Sequence, residues 1–307
     1  YEFDIIHHML PVNFNQSYSP ILQKPFVIGP VFHPWIDIDD SEYSGAEITA
    51  SSDNFIIRKI KNRIIRYLKA RNKRRFDETF KFADKIIITL DCVKKFIDKE
   101  FHHKTVKIPV GTDTSYFTPA PELPDNNTIL FLAYLVKRKG LKYLIESLDI
   151  IRKRIPDVKL LVVGSGPDKD YFVKIAENLR LTGHIEFIEN VGHNQTVNYF
   201  RRAQLYVLPS LCEPFGMSAV EAMSCGLPVI VTDAGGAPEV VGAHNKDYIV
   251  PARDSAALAD KIMTVLFNYE KSKNLGKDNR ELAVRNYDWR IIASKYNNLY
   301  EELCEQQ

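Results

Sequence analysis

The sequence has no apolar run of the roughly 18 residues that a membrane-spanning helix needs, and no secretory signal is visible at its start. It has only four cysteines, Cys92, Cys212, Cys225 and Cys304, and no two of them form a CxxC pair. Their apolar or helical surroundings fit reduced thiols, and they fit neither a disulfide framework nor a zinc site. We therefore expect a cytoplasmic protein that folds on its apolar core alone.

A strong charge imbalance is also missing. The formal net charge is +2, so the average charge does not indicate a nucleic-acid partner. Positive charge is concentrated in Arg58–Arg75, which holds ten Lys or Arg and no Asp or Glu beside an apolar stripe of Ile57, Ile60, Ile64 and Leu68. Such a helix can lie on an anionic membrane surface, or it can pack its stripe on a core and leave the basic face in water. Both interpretations stay open, and the first predicts a peripheral membrane protein that sediments with anionic vesicles at low salt.

The length of 307 residues predicts two domains, and the stretch from Phe117 to Asn127, rich in proline and polar residues, is the predicted linker. On both sides of it, short apolar strands are separated by helical patterns, which predicts βαβ crossovers and parallel sheets. Ligands bind such sheets at the carboxyl ends of the strands. The predicted strands span residues 3–9, 25–31, 85–90, 106–110, 128–134, 159–163, 184–188, 205–208, 228–232 and 248–250.

Two glutamates stand where one of these strands meets a helix. Glu213 follows the strand 205–208, and Glu221 lies in a helix predicted to begin near Gly216 and to end at Gly226. The first N–H groups of that helix can bind anionic oxygen, and the carboxylates can accept hydrogen bonds from hydroxyls. This combination suits a sugar joined to a diphosphate. For the pair alone, two surface glutamates at a helix start remain the alternative.

The longer string of residues 213–239 resembles the E-x7-E segment and the following G-G-x-P-E turn of the retaining family-4 glycosyltransferases, the glycosyl transferases group 1. Three further segments resemble the same family. Residues 110–119 are similar to the segment before its interdomain linker, residues 135–140 to its phosphate-binding loop, and residues 286–289 to the start of its last helix. The resemblance covers residues 106–304 and extends only loosely over 1–105.

The resemblance implies an α/β fold of the GT-B type, with two Rossmann-like domains, parallel sheets and a cleft between them. Residues 1–117 with a crossover helix 287–307 would form the acceptor-side domain, and residues 128–286 would form the donor-binding domain. Because the family has further strands and a glycine-rich loop before the position of Tyr1, we expect the first domain to be N-terminally truncated.

The resemblance further implies a retaining, metal-independent hexosyltransferase that acts in polysaccharide, glycolipid or glycan assembly. Its partners would be a nucleotide-sugar co-substrate and a glycan or lipid-linked acceptor, with no cofactor and no nucleic acid. By position, Glu213 would contact hydroxyls of the donor sugar, Lys139 would neutralise the leaving diphosphate, and Glu221 would hold the ribose. The other donor-site residues would be Arg138, Gly164, Val191, Phe215, Gly216, Met217 and Ser218. His7, His8 and His33 would face the acceptor or the cleft, with a structural role in a strand end or loop as the alternative for each.

Two alternative functions stay open. Five positions before Lys139 the family has an arginine, but this sequence has Tyr134, so one expected cation at the diphosphate is missing. That substitution and the short first domain favour a catalytically impaired nucleotide-sugar-binding or scaffold subunit. Gly164-Ser165-Gly166 after a strand is also typical of dinucleotide-binding dehydrogenases, with an acidic partner expected at Glu186 or Glu189. The third glycine of that fingerprint is replaced by Lys169, which weakens this alternative.

Overall fold

The computed structural model describes residues 4–9, 24–32, 77–121, 124, 126–189 and 191–306. His33 and the basic segment Arg58–Arg75 lie outside these residues, and of the helix predicted over 54–83 only residues 77–83 are described, with 77–82 as helix. The described residues fall into two units. One lies within Tyr1–Phe32, Ala46–Pro109 and Ser294–Gln307, and the other lies within His33–Gly45 and Val110–Ala293.

The first unit contains a parallel sheet of four described strands in the order β1-β2-β3-β4. These strands are β1 (Ile6–Met9), β2 (Phe26–Val31), β3 (Lys85–Ile88) and β4 (Thr105–Lys107). The three isoleucines of β3 are fully buried, as a strand covered on both faces requires. Where the sequence predicts a short helix after β3, the chain forms two 3-10 helices, Asp91–Phe96 and Lys99–Lys104, neither of which has a side-chain cap.

A lysine closes the end of the helical segment 77–82 in this unit. Lys104 Nζ donates to the carbonyl oxygens of Phe80, Lys81 and Ala83 at 3.3, 2.9 and 2.7 Å. The last carbonyls of a helix have no partner within it, and a cation there also interacts favourably with the helix dipole. One side chain therefore fixes the connection from this segment into β3.

The second unit contains a six-stranded parallel sheet in the order β10-β9-β8-β5-β6-β7. Its strands are β5 (Thr128–Leu132), β6 (Lys159–Val163), β7 (Ile185–Ile188), β8 (Leu205–Leu208), β9 (Val229–Thr232) and β10 (Ile249–Val250). Read from β7, this is the 3-2-1-4-5-6 order of dinucleotide-binding Rossmann folds. These strands lie within the ranges that the alternation of apolar strands and helical patterns predicted from the sequence.

Eight helices are described after β5. They are α1 (Leu141–Ile151), α2 (Lys169–Asn178), α3 (Thr196–Arg202), α4 (Met217–Ser224), α5 (Ala237–Val241), α6 (Ser255–Phe267), α7 (Tyr269–Tyr287) and α8 (Trp289–Glu305). Alternate residues of each strand point to opposite faces of the sheet, so Val207 packs in one apolar cluster with α1 and α6, and Tyr206 packs in another with α3 and α4. The second unit is therefore a three-layer α/β/α structure.

The predicted linker begins as part of the second unit. Phe117 is only 2% exposed and belongs to the apolar cluster of α3 and α4. Arg280 donates to the Phe117 carbonyl at 2.7 Å, and Arg201 donates to the Thr118 carbonyl at 3.1 Å. Because these bonds fix the start of the 117–127 segment, the division between the units falls earlier, between Pro109 and Val110. The last helix starts at Trp289, and its residues from Ser294 onward belong to the first unit.

Among the described residues, no helix combines the length and the apolar character needed to cross a membrane.

Candidate active site

The strand order reverses between β5 and β8, which pair in parallel although β6 and β7 separate them in the chain. The helix after β5 packs on one face of the sheet, and the helix after β8 packs on the other. In open parallel sheets, such a switch point leaves a crevice at the carboxyl ends of the two strands, where ligands bind. The loop after β5 carries Lys139, and the loop after β8 carries Glu213.

The backbones of these two loops are in direct contact. The N–H of Leu211 donates to the carbonyl of Arg138 at 2.8 Å. Gly140 has a φ of +71°, and a Cβ at this position would lie 1.8 Å from the carbonyl oxygen of Pro209. Only glycine accommodates this approach, because the atom in the way is backbone and cannot turn aside. The packing fixes the position of Lys139 relative to Glu213.

Lys139 and Glu213 form a buried ion pair. Nζ lies 2.6 Å from Oε2, and the two side chains are 14% and 6% exposed. The Ser210 hydroxyl donates to the same oxygen at 3.0 Å. The backbone of Glu213 is held as well, since its carbonyl accepts from the N–H of Gly236 at 2.7 Å, within the G-G-x-P-E turn. The site therefore presents one cation and one carboxylate in a largely dry environment, where each is costly to leave unpaired.

Arg138 adds a second positive charge close to this pair. Burial lowers the pKa of its guanidinium, and the nearby Glu213 carboxylate and Cys212 thiol act in the opposite direction. An arginine remains charged despite such a shift. Residues 137–139 thus supply the positive charge of the predicted phosphate-binding loop.

Helix α4 points its amino end toward this corner of the unit. Its N-cap is Gly216, with a φ of +95°, and no side chain caps the first turn. The first N–H groups of a helix have no partner within it, so those at Met217 and Ser218 are suited to bind an anion. The side chains nearby serve the core instead. Phe215 is 3% exposed, and its ring lies nearly perpendicular to that of Tyr287. The Ser218 hydroxyl accepts from Tyr206 at 2.6 Å.

Glu221 lies about one turn into α4, where it is 8% exposed. Burial raises the pKa of its carboxyl to about 7. Its Oε1 lies 3.4 Å from Nε2 of His193, a mostly exposed side chain. The His193 ring in turn packs against Phe117, with 5.5 Å between the ring centroids. Glu221 therefore occupies a sheltered position beside an exposed imidazole.

The glycines after β6 have a packing role. Gly164 has a φ of +140°, and a Cβ there would lie 2.1 Å from the carbonyl oxygen of Ala133. Lys169, at the position of the missing third glycine, forms an ion pair with Glu189, one of the two acidic residues expected of a dehydrogenase. Both features disfavour the dinucleotide interpretation. Val191 is partly buried against the apolar cluster of α3 and α4.

His7 lies in β1 of the first unit and is half-buried, with both ring nitrogens engaged. Nε2 lies 3.2 Å from the carbonyl oxygen of Gly29, which can only accept, so Nε2 carries the proton and the Tyr300 hydroxyl donates to Nδ1 at 2.6 Å. Burial lowers the pKa of His7. These bonds join the sheet to α8, which is the structural role considered from the sequence. His8 lies beside it in β1, and acceptor roles for all three histidines stay predictions.

Two residues at the site were not predicted from the sequence. Ser210 lies three residues before Glu213 and donates to its carboxylate within one loop, whereas His193 meets Glu221 only through the fold. Tyr134, which stands where the family has an arginine, is 59% exposed. Its side chain is uncharged, so the position adds no cation.

A cavity of about 410 Å³ lies elsewhere in the second unit, with Thr128, Lys159 and Ile185 in its lining. These residues begin β5, β6 and β7, so the cavity is at the amino ends of the strands, away from the switch point. Within the described ranges, no three His, Cys, Asp or Glu side chains are grouped to hold a metal ion. The metal independence of the reaction stays a prediction.

Similar proteins are found by sequence and by structure. Residues 115–282 match the family described as Glycosyl transferases group 1. The phosphatidylinositol N-acetylglucosaminyltransferase gpi3 subunit of Schizosaccharomyces pombe is 31% identical over 65% of this chain and 44% of its own length. The phosphatidyl-myo-inositol mannosyltransferase of Mycobacterium leprae is 32% identical over 71% of this chain and 59% of its own. The chain thus spans about half the length of the curated relatives it matches.

The fold is shared with a solved protein. The crystal structure of Anabaena HepE in complex with UDP matches with a TM-score of 0.72 at 20% identity, over 91% of this chain and 72% of HepE. This likeness and the two parallel sheets confirm the predicted α/β fold of the GT-B type. The family match spans more than half of the 307 residues, and the chain belongs to the glycosyl transferases group 1 family.

Proposed function

We propose that the protein transfers a hexose or N-acetylhexosamine, with retention, from a nucleotide-sugar donor to a hydroxyl of a phosphatidylinositol-type or other glycolipid acceptor. The observation that carries this proposal is the buried Lys139–Glu213 pair at the β5/β8 switch point. The names of the two relatives support the sugar and the lipid acceptor. The UDP bound to HepE supports a nucleoside diphosphate as the leaving group.

The donor would be bound through three of its parts, the diphosphate, the sugar and the ribose. Its diphosphate would lie between Lys139 and the amino end of α4, where an ammonium and helix N–H groups neutralise negative charge. Its sugar hydroxyls would donate to Glu213, and its ribose hydroxyls would donate to Glu221. A charged hydrogen bond contributes about 1.5–3 kcal/mol, so these contacts together would support micromolar binding.

In the transfer step, the bond between the anomeric carbon and the diphosphate oxygen breaks, and its electron pair stays on that oxygen. The acceptor hydroxyl oxygen bonds to the same face of the sugar and releases its proton to the departing phosphate. Negative charge grows on the diphosphate in the transition state, so Lys139 and the α4 N–H groups stabilise that state more than the bound donor. Glu213 holds the sugar and does not form a covalent intermediate.

A catalytically impaired donor-binding subunit is the second candidate, and Tyr134 is the observation that favours it. An exposed phenol would replace a cation at the leaving group. The two candidates differ in turnover. A donor that binds but is neither transferred nor hydrolysed supports the binding subunit, and measurable transfer excludes it.

The first experiment identifies the donor. Isothermal titration with UDP-, GDP- and ADP-sugars should find at least one that binds the wild-type protein, and Glu213→Gln should weaken it. A matched control is Glu146→Gln, because Glu146 is a carboxylate on α1 that accepts from Ser255 at 2.7 Å and has no place in the proposed site. If no sugar nucleotide binds, or if both variants bind equally well, the proposed donor site is wrong.

The second experiment follows the product. Radiolabelled sugar from the selected donor should enter the lipid phase of phosphatidylinositol vesicles, with the anomeric configuration of the donor kept. Transfer should persist in EDTA. Product of inverted configuration would refute retention, and loss of transfer in EDTA that added Mg²⁺ restores would refute metal independence.

A further inference from the structure

Ser210 has no role among the proposed contacts to the donor, yet its side chain bonds to Glu213. It is 1% exposed, at the carboxyl end of β8. Its hydroxyl donates to Oε2 of Glu213 at 3.0 Å, the same oxygen that lies 2.6 Å from Lys139 Nζ. All the described side-chain bonds of Glu213 therefore fall on one oxygen. The other oxygen, Oε1, is left to accept from a ligand.

The serine is itself fixed from the neighbouring strand. The hydroxyl of Thr232, the last residue of β9, donates to the Ser210 carbonyl oxygen. Thr232 is 2% exposed. The Thr232 hydroxyl therefore holds the backbone of Ser210, and the Ser210 hydroxyl holds the Glu213 carboxylate. The serine is thus fixed in place independently of the carboxylate that it contacts.

We propose that Ser210 is a positioning residue of the transfer reaction, and that it keeps the Glu213 carboxylate aimed at the donor sugar when Lys139 turns to the diphosphate. This inference rests on the proposed function. Lys139 cannot fully neutralise both Glu213 and a diphosphate, so donor binding draws the ammonium away from Oε2. The carboxylate is 6% exposed, and without Ser210 it would then be a buried anion with no donor on Oε2. The Ser210 hydroxyl supplies that donor.

The test variant is Ser210→Ala. Its matched control is Ser224→Ala, because Ser224 is a fully buried serine in α4 whose hydroxyl has no hydrogen-bond partner among the described residues. We expect Ser210→Ala to lower kcat for sugar transfer by about 10- to 100-fold, the range of one hydrogen bond to a charged group. Ser224→Ala should stay within about twofold. The Kd for the nucleoside diphosphate without sugar should be unchanged in Ser210→Ala, since the serine acts on the sugar-binding carboxylate.

A double-mutant cycle with Glu213 separates a positioning role of Ser210 from a general loss of packing. In a Glu213→Gln background, Ser210→Ala should cost little more, because the carboxylate that it orients is gone. Equal kcat values for Ser210→Ala and Ser224→Ala would overturn the proposal. An equal loss in the Glu213→Gln background would overturn it as well.

Crystal structures test the role of Ser210 independently of turnover in a Lys139→Met background, which removes the ammonium from Oε2 as donor binding is proposed to do. We expect Glu213 to keep its present conformer in ligand-free Lys139→Met and to leave it in Lys139→Met with Ser210→Ala, and the same Glu213 conformer in both variants refutes the positioning role. If the wild-type protein binds and turns over no sugar nucleotide, the proposed function fails, and these two structures still test the role of Ser210.

Discussion

Replacing Lys139 with methionine should destabilise the ligand-free protein by about 3–5 kcal/mol, because it leaves the Glu213 carboxylate buried without its cation. The two groups are 2.6 Å apart and almost excluded from water. At that separation, an effective dielectric constant of about 20 corresponds to an attraction of roughly 6 kcal/mol, part of which only offsets the cost of desolvation. Ser210 still donates to Oε2, so the expected loss lies toward the lower end of the range.

The double variant Lys139→Met with Glu213→Gln separates charge from packing. With both charges removed, no ion remains buried, and the free energy of unfolding should recover to within about 1 kcal/mol of the wild-type value. Transfer activity should stay absent in the double variant, because both donor contacts are lost. Stability thus recovers in the double variant while activity does not, as expected for residues kept for function.

Urea denaturation followed by circular dichroism measures these free energies. The control is Lys142→Met, which breaks the exposed i,i+4 pair with Glu146 on α1, where the side chains are 43% and 35% exposed. It should cost no more than about 0.5 kcal/mol. A Lys139→Met variant as stable as this control would refute the view that the pair is buried and mutually dependent. A double variant as unstable as Lys139→Met would refute it too.

Three further predictions follow from single contacts. Burial raises the pKa of Glu221 from 4.5 to about 7 because the protonated carboxyl is favoured in the folded protein. Its contribution to the free energy of unfolding is therefore fully present below about pH 4.5 and is lost as the pH rises through 7. By the same titration, sugar-nucleotide affinity measured by calorimetry should rise about tenfold from pH 6 to pH 8 and become flat in Glu221→Gln. Gly140→Ala should lower kcat at least tenfold, since its Cβ would meet the Pro209 carbonyl oxygen at 1.8 Å and displace the lysine loop; wild-type kinetics would contradict this. Lys104→Met should cost about 1.5–3 kcal/mol in urea titration without changing donor affinity, and a loss below 0.5 kcal/mol would show that its three carbonyl contacts are not stabilising.

Local chemistry explains why the corner after β8 was predictable. Gly216 and Gly226 both have positive φ, and they bound α4 at the two positions that the sequence indicated. The strands were also predictable, because β8 and β9 are short runs of apolar residues that are buried throughout. These features depend on residues that are neighbours in the chain, so the local sequence is enough to predict them.

Contacts across the sheet were not predictable in the same way. That β8 lies beside β5 follows from the path of the whole chain, so the bonds from Lys139 to Glu213 and from Leu211 to Arg138 left no local signal. The boundary between the units falls before the predicted linker, and this difference has a similar cause. Phe117 is buried, and Arg201 and Arg280 hold the start of the proline-rich segment, although composition alone made it a free linker.

The proposed donor site is tested most directly by a crystal structure of the protein with a sugar nucleotide that binds in titration. We predict the diphosphate within hydrogen-bond distance of Lys139 Nζ and the amino end of α4, with the ribose hydroxyls on Glu221. A nucleotide bound in the cavity at the amino ends of β5, β6 and β7, with the Lys139–Glu213 pair untouched, would contradict the proposal.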